Sequence, residues 1–157
     1  MENEIKYYDK MMKFAIKESK KALELNEVPI GAVIVKNGKI ISKAFNKREN
    51  SKIATHHAEI LAIEKACKKT GDWRLENAEM FVTLEPCPMC AGAIMNARIK
   101  KLIFGAYDTG SVNRNLLSEI LNDTGSNHKC EFVGGILEKE CKQILIDFFK
   151  SKRRADK

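Results

Sequence analysis

The sequence predicts a layered α/β domain built around a mixed β-sheet. A long amphipathic segment comes first, a hairpin signal follows it, and helical and strand-like segments then alternate along the rest of the chain. A hairpin pairs its strands antiparallel, whereas a strand–helix–strand crossover pairs them parallel, so the sheet is expected to be mixed. The length of 157 residues is typical of one hydrophobic core, and we expect residues 1–157 to form a single domain.

The N-terminal segment predicts an amphipathic helix over residues 5–24. Its apolar and small residues recur at helical spacing, with lysine and glutamate between them. These residues are Ile5, Tyr8, Met12, Ala15, Ile16, Ser19, Ala22 and Leu23.

Two β-rich runs, residues 28–35 and 39–45, follow the first helix. They are joined through Asn37 and Gly38, a pair that readily adopts the left-handed backbone of a two-residue hairpin turn. We therefore expect an antiparallel pair of strands here.

Helical and strand-like patterns alternate after the hairpin. Predicted helices cover residues 57–69, 88–98, 116–121 and 137–152, and predicted strands cover residues 79–84, 101–105 and 130–133. The first of these helices is closed by Thr70 and Gly71, and a glycine is typical of a helix C-terminus.

The composition excludes several classes of protein. Hydrophobic residues make up 44% and charged residues 31% of the chain, as in a globular protein rather than a disordered one. No apolar run approaches the ~20 residues of a membrane-spanning helix, and no export signal is visible. Because the five cysteines are an odd number, we expect metal binding or burial rather than a disulfide framework, and a cytoplasmic location.

The C-terminal tail concentrates the positive charge. Of the formal net charge of +7, +4 lies in the last eight residues, KSKRRADK. Such a cluster favours contact with a polyanion such as RNA. The alternative is a solvated helix end whose cations complement the helix dipole, and the sequence leaves both interpretations open.

Two cysteines predict half of a metal site. Cys87 and Cys90 lie three residues apart where a predicted strand gives way to a predicted helix. The free backbone N–H groups of a helix start favour the thiolate form, and thiolates are good zinc ligands. A catalytic zinc site takes three protein ligands of N and S type and leaves a fourth position for water. One more protein ligand is therefore expected.

His57 is the expected third ligand, and Glu59 is the expected general base. His57 opens the preceding predicted helix, thirty residues before Cys87, and Glu59 follows two residues later. At that spacing Glu59 would lie beside the water in the open position rather than bind the metal. His56 is a rival ligand, but on a helix its side chain would point about 100° away from that of His57.

Other histidines and cysteines have simpler interpretations. We expect Cys67, Cys130 and Cys141 to be buried small hydrophobes on apolar faces, and His128 to be structural or to lie on an RNA-facing surface. A purely structural zinc in a nucleic-acid-binding protein is an alternative, but such a site normally has four protein ligands, and there is no second C-x-x-C pair. A redox C-x-x-C pair would leave the H-x-E motif unexplained.

The segments THHAEILA and TLEPCPMCAGAI resemble the H-x-E and P-C-x-x-C signature of the cytidine deaminase superfamily. The segments VPIGAVIV, residues 73–108 and the closing DFFKSKRR make the chain similar to bacterial tRNA-specific adenosine deaminases over nearly its whole length. This resemblance implies a three-layer α/β/α fold with a five-stranded sheet, a homodimer, and conversion of adenosine to inosine at the wobble position of a tRNA anticodon loop.

The resemblance also implies roles for individual residues. It implies one zinc ion per chain on the three ligands predicted above, with Glu59 moving the protons. It implies that Asn46 holds the edge of a flipped, unpaired base and that Asp108, Phe149 and Arg153 contact the RNA around it. Each of these four has a simpler alternative. Asn46 would be a turn residue and Asp108 a loop cap. Phe149 would be a core residue of the last helix and Arg153 a solvated charge.

One stretch departs from the family pattern. After Asp108 the family usually has a lysine and a run of small residues, whereas this chain reads TGSVNRNLL. Arg114 can take over the phosphate contact, since a guanidinium group pairs with phosphate through two hydrogen bonds. The altered loop also favours an alternative substrate, a free nucleobase or nucleoside such as guanine, cytosine or adenosine, which the basic tail opposes.

Overall fold

A computed structural model describes residues 1–110 and 113–156, and within them five strands form one mixed sheet. The strands are β1 (Gly31–Lys36), β2 (Lys39–Phe45), β3 (Ala78–Leu84), β4 (Lys101–Ala106) and β5 (Glu131–Val133), in the order β2-β1-β3-β4-β5. β1 runs antiparallel to both β2 and β3, while β3, β4 and β5 are parallel. The predicted mixed sheet is confirmed.

The helices of the described residues are α1 (Glu2–Glu24), α2 (Arg48–Ser51), α3 (Ala58–Thr70), α4 (Pro88–Asn96), α5 (Leu116–Leu121) and α6 (Glu138–Ala155). The predicted helices are confirmed apart from their ends. α4 is shorter than predicted because Arg98 has a left-handed backbone, with φ of 62°, which ends the helical path. α2 was not predicted, since four residues are too few to show a helical period.

Alternating residues of the strands point to opposite faces and create two hydrophobic clusters. Phe81 and its neighbours pack with α1 and α6 on one face, and Met80 packs with α3, α4 and α5 on the other. Both residues are fully buried. The sheet is therefore covered on both sides, and the predicted three-layer architecture is confirmed.

The predicted hairpin connects β1 to β2. Asn37 and Gly38 have φ of 52° and 74°, the left-handed values that a tight hairpin turn requires. β1 begins at Gly31 rather than at residue 28, because the carbonyl of Val28 accepts hydrogen bonds from Ile30 N–H and the Asn46 side chain instead of pairing with a strand. Residues 28–30 thus form a connection next to the end of β2.

The carboxyl ends of β3 and β4 meet at one edge of the sheet. Leu84 pairs with Ala106, and the N–H of Glu85 donates to the carbonyl of Ala106 at 2.8 Å. The segments that leave these strands carry Cys87 and Asp108, so both begin at the same edge. None of the helices in the described residues is both long enough and apolar enough to cross a membrane.

The remaining cysteine predictions are confirmed in part. Cys130 and Cys141 are buried, as expected, whereas Cys67 is only partly buried at the end of α3. All five cysteines lie in the described part of the chain and are free thiols. His128 has the structural role that was one of its two interpretations, because its Nε2 atom lies 2.7 Å from the carbonyl oxygen of Ile99.

Candidate active site

Two helix starts present the candidate metal ligands. His57 is the N-cap residue of α3 and Cys87 the N-cap residue of α4, and both have an extended backbone. Pro88 follows at the first helical position, where its fixed φ suits the helix and its missing N–H is not needed. His57 thus precedes the helix that it was predicted to open. The direction of its side chain is therefore set by the extended N-cap backbone and not by a position on the helix surface.

The side chains of His57, Cys87 and Cys90 converge. His57 Nδ1 lies 3.6 Å from Cys87 Sγ and 3.5 Å from Cys90 Sγ, and all three atoms lie within 4.8 Å of one another. A tetrahedral zinc about 2.1 Å from nitrogen and about 2.3 Å from sulfur holds such atoms about 3.6 Å apart. The donor set and its spacing therefore fit zinc.

The three side chains of the trio shift one another's pKa values. The neighbouring Cys90 thiol, with a smaller contribution from His57, lowers the pKa of Cys87 to about 4. The same contact with Cys87, together with burial, raises the pKa of Cys90. Its hydrogen bond with Cys87 raises the pKa of His57. The lowered pKa of Cys87 favours its thiolate form, the form in which cysteine binds a metal.

Glu59 is a buried carboxyl group in the first turn of α3. Its exposed fraction is 4%, and its Oε1 is the one buried side-chain oxygen or nitrogen of the described residues without a hydrogen-bond partner. Burial raises the pKa of this carboxyl group. Burying a polar atom without a hydrogen-bond partner costs free energy of folding. The unpartnered Oε1 therefore indicates that a ligand, a water molecule or a proton meets this atom when the enzyme functions.

Asn46 is buried at the end of β2 and hydrogen-bonds to the backbone on both sides. Its Nδ2 donates to the carbonyl of Val28 at 3.3 Å, and its Oδ1 accepts from the N–H of Arg48 at 3.2 Å. The second bond is the turn contact of the simpler interpretation. Because an amide can make four hydrogen bonds, these two leave capacity for the edge of a base.

The structure brings the other three predicted substrate contacts together. Asp108, Phe149 and Arg153 line one open cavity of about 420 Å³, together with Val28. Phe149 is 45% exposed, so it is not a core residue of α6; its neighbour Phe148 is the buried one. Asp108 also accepts a hydrogen bond from the N–H of Gly110 at 3.0 Å, the loop-cap contact of the simpler interpretation.

Two acidic residues that the sequence did not single out accept backbone hydrogen bonds close to candidate site residues. Glu85 accepts a hydrogen bond from the N–H of Asp108, and Glu27 is a fully buried carboxylate beside α2. Neither lies in a recognisable motif, and glutamate is usually a solvated residue. Nothing local in the sequence distinguishes them from exposed glutamates.

Arg114 belongs to the described part of the altered loop. Ser111 and Val112 are outside the described residues, and the phosphate contact of Arg114 stays a prediction. Arg114 lines a cavity of about 300 Å³ with Tyr107, Phe132 and Asp108. Arg114 thus shares a cavity with Asp108, a candidate RNA contact.

Comparisons with known proteins identify the family of this chain. The family model of MafB19-like deaminases matches residues 7–153. The tRNA-specific adenosine deaminase of Bacillus subtilis (strain 168) is 51% identical over 146 residues, which are 93% of this chain and 91% of that protein.

Two solved structures extend the comparison. One, from a study of A-to-I editing by tRNA:A34 deaminases at the wobble position of transfer RNA, has a TM-score of 0.80 at 38% identity and covers 86% of this chain and 98% of that chain. The guanine deaminase of Nitrosomonas europaea has a TM-score of 0.78 at 19% identity and covers 89% of this chain and 83% of that chain. At that identity the second likeness concerns the fold alone.

Proposed function

This chain belongs to the tRNA-specific adenosine deaminases and is a hydrolytic deaminase, and from that premise we propose that it converts adenosine to inosine at the wobble position of a tRNA anticodon. The observation that carries the chemistry is the convergence of His57, Cys87 and Cys90 beside the buried, unpartnered Glu59. The substrate follows from the relatives, which act on tRNA by name.

His57, Cys87 and Cys90 would hold one zinc ion per chain. Zinc, when bound, supplies a Lewis acid that makes a water molecule reactive near neutral pH. The group has three members among the described residues, whereas a structural zinc normally has four protein ligands. This supports a catalytic site over a structural one.

Glu59 would carry every proton of the reaction on its carboxyl group. It takes a proton from the attacking water as the oxygen bonds to C6 of adenine, and it passes that proton to the ring nitrogen. It then takes the remaining proton of the added oxygen and delivers it to the departing amino group as the C6–N bond breaks. Water is consumed and ammonia is released, so the balance is complete.

The target base must be unpaired to reach this buried group, and an anticodon loop supplies such a base. Asn46 would bind the base edge with its remaining hydrogen-bonding capacity. Asp108, Phe149 and Arg153 would bind the neighbouring nucleotides in the cavity that they share. An exposed aromatic ring next to an arginine suits a stacked base with an adjacent phosphate.

The assembly and location of the enzyme are further parts of the proposal. Residues 1–157 would form one deaminase domain, two copies would form a homodimer, and the enzyme would act in the cytoplasm. The free state of all five cysteines, which lie within the described residues, supports a reducing compartment. Light scattering tests the dimer, for which we expect twice the 17.8 kDa of one chain.

An inosine assay tests the function. The purified protein is incubated with an anticodon stem-loop that carries adenosine at the wobble position, with the same stem-loop carrying adenosine only elsewhere, and with free adenosine, guanine and cytosine. We expect inosine in the first RNA alone, detected by mass spectrometry of its nucleosides. Product from a free base or nucleoside and none from the stem-loop would overturn the RNA substrate and favour the free-base alternative.

A further inference from the structure

Glu27 is a charged side chain with no exposure to solvent. It lies in the connection between α1 and β1 and is 0% exposed. Burying a carboxylate is costly unless hydrogen-bond donors replace its water shell. The surroundings of Glu27 supply those donors from one short segment of the chain.

That segment is α2, whose first turn is attached to Glu27. Oε1 of Glu27 accepts from the N–H of Glu49 at 3.0 Å, and Oε2 accepts from the N–H and the side-chain amide of Asn50, each at 2.8 Å. The Asn50 amide also donates to the carbonyl of Leu25 at 2.9 Å. A four-residue helix has almost no stability of its own, so these contacts hold it in place.

The same two segments hold the amide of Asn46. Its Nδ2 atom donates to the carbonyl of Val28, the residue after Glu27, and its Oδ1 atom accepts from the N–H of Arg48, the first residue of α2. The two contacts together determine which way the amide oxygen and nitrogen point. They persist only while the connection before β1 and the start of α2 stay joined, and Glu27 joins them.

We propose that Glu27 is a positioning residue for deamination, acting through Asn46. Its carboxylate joins α2 to the connection before β1 and thereby orients the Asn46 amide toward the target base. Because Glu27 has no exposed surface, it would act through Asn46 rather than by contact with the substrate. The inference rests on the proposed function and on the role of Asn46 within it.

A double-mutant cycle tests this role. Glu27→Gln replaces one of the two acceptor oxygens by an amide N–H₂ group, which cannot accept a hydrogen bond from a backbone N–H. At least one contact with α2 is therefore lost. We expect kcat/KM for the wobble stem-loop to fall about tenfold or more, as expected for a lost hydrogen bond to a buried charge. In an Asn46→Ala background the same change should cost less than about twofold, because the group it orients is gone.

Glu18→Gln is the matched control. Glu18 is also a buried glutamate, 4% exposed, but it lies on α1 and pairs with Lys21 rather than with α2. We expect this variant to keep the wild-type kcat/KM, even where its melting temperature falls. Zinc content and circular dichroism of every variant are measured at the assay temperature, so that activity is compared only between folded, metal-containing proteins.

The outcomes separate the inference from the proposed function. An equal loss of kcat/KM from Glu27→Gln in both backgrounds would overturn the positioning role and leave Glu27 a structural residue. If Glu27→Gln does not fold, Asn50→Ala replaces it in the cycle, since it removes the side-chain donor and keeps both backbone donors. A wild-type enzyme that makes no inosine from the stem-loop would refute the proposed function instead.

Discussion

The carboxylate of Glu85 accepts a hydrogen bond from the backbone N–H of Asp108 at 2.9 Å. Glu85 lies two residues before Cys87, a candidate metal ligand, and Asp108 is a candidate RNA contact. The bond therefore connects the metal site to the cavity that holds Phe149 and Arg153. It fixes the start of the loop after β4 at the edge of the sheet.

Loss of the Glu85 acceptor is expected to weaken substrate binding. Glu85→Ala frees the Asp108 N–H, so we expect KM for the stem-loop to rise about 3- to 10-fold, the effect of one lost hydrogen bond of about 1 kcal/mol. Glu85→Gln keeps a carbonyl acceptor and should stay close to wild type. Steady-state kinetics measures both, and an equal loss of activity in the Gln variant would show that charge rather than the acceptor matters.

Removal of any one candidate ligand is expected to remove zinc. His57→Ala, Cys87→Ala and Cys90→Ala should each lose metal and activity together, because a three-ligand site has no spare donor. Mass spectrometry of metal content measures this, with Cys67→Ala as the control that keeps its zinc. Full metal content in any of these three variants would show that the replaced residue is not a ligand.

Glu59→Gln is expected to separate metal binding from catalysis. The variant should keep its zinc and its fold, while kcat falls by at least the ~10²–10⁴-fold typical of a lost general acid–base. Single-turnover kinetics on the stem-loop, with metal analysis of the same preparation, measures both quantities. Loss of zinc would instead identify Glu59 as a ligand, and near-wild-type turnover would exclude it as the proton carrier.

The arginines of the tail are expected to differ in their contribution to RNA binding. Arg153 lines the cavity with Phe149, whereas Arg154 is an exposed neighbour on α6. We expect Arg153→Ala to raise the Kd for the stem-loop more than Arg154→Ala does. Arg153→Ala should also reduce the slope of log Kd against log salt concentration by about one. An unchanged slope in both variants would support the solvated helix end.

Gly31 is expected to be essential for the docking of α1. A Cβ atom at this position would lie 2.5 Å from the backbone nitrogen of Ser19 and would also meet the carbonyl oxygen of Ala15. Gly31→Ala should therefore lower the free energy of unfolding by about 1–3 kcal/mol or more, since backbone atoms cannot move aside.

Gly92→Ala is the matched control for this stability measurement. Beyond the neighbouring residues and the backbone of its own helix, a Cβ atom at Gly92 meets nothing within 4 Å, and the residue lies inside α4. Alanine should be neutral there or stabilise by up to about 1 kcal/mol, because it is the better helix former. Urea denaturation of both variants measures the difference, and equal effects would contradict the steric argument for Gly31.

The sequence by itself determined the helices and strands of the described residues other than α2, and both halves of the candidate metal motif. Asn37 and Gly38 specify the hairpin through their own backbone preferences. The helix starts at His57 and Cys87 follow from signals within a few residues, as does the amphipathic α1. Such signals are local, so a pattern along the chain was enough to predict them.

Only the tertiary structure decided which distant groups meet. α2 escaped prediction because it is held by Glu27, a residue 22 positions earlier, rather than by a helical pattern of its own. Asp108 and Arg153 share a cavity only because β4 and α6 pack against each other. Burial and hydrogen bonding between remote segments depend on how the elements pack, and no local pattern of residues contains that information.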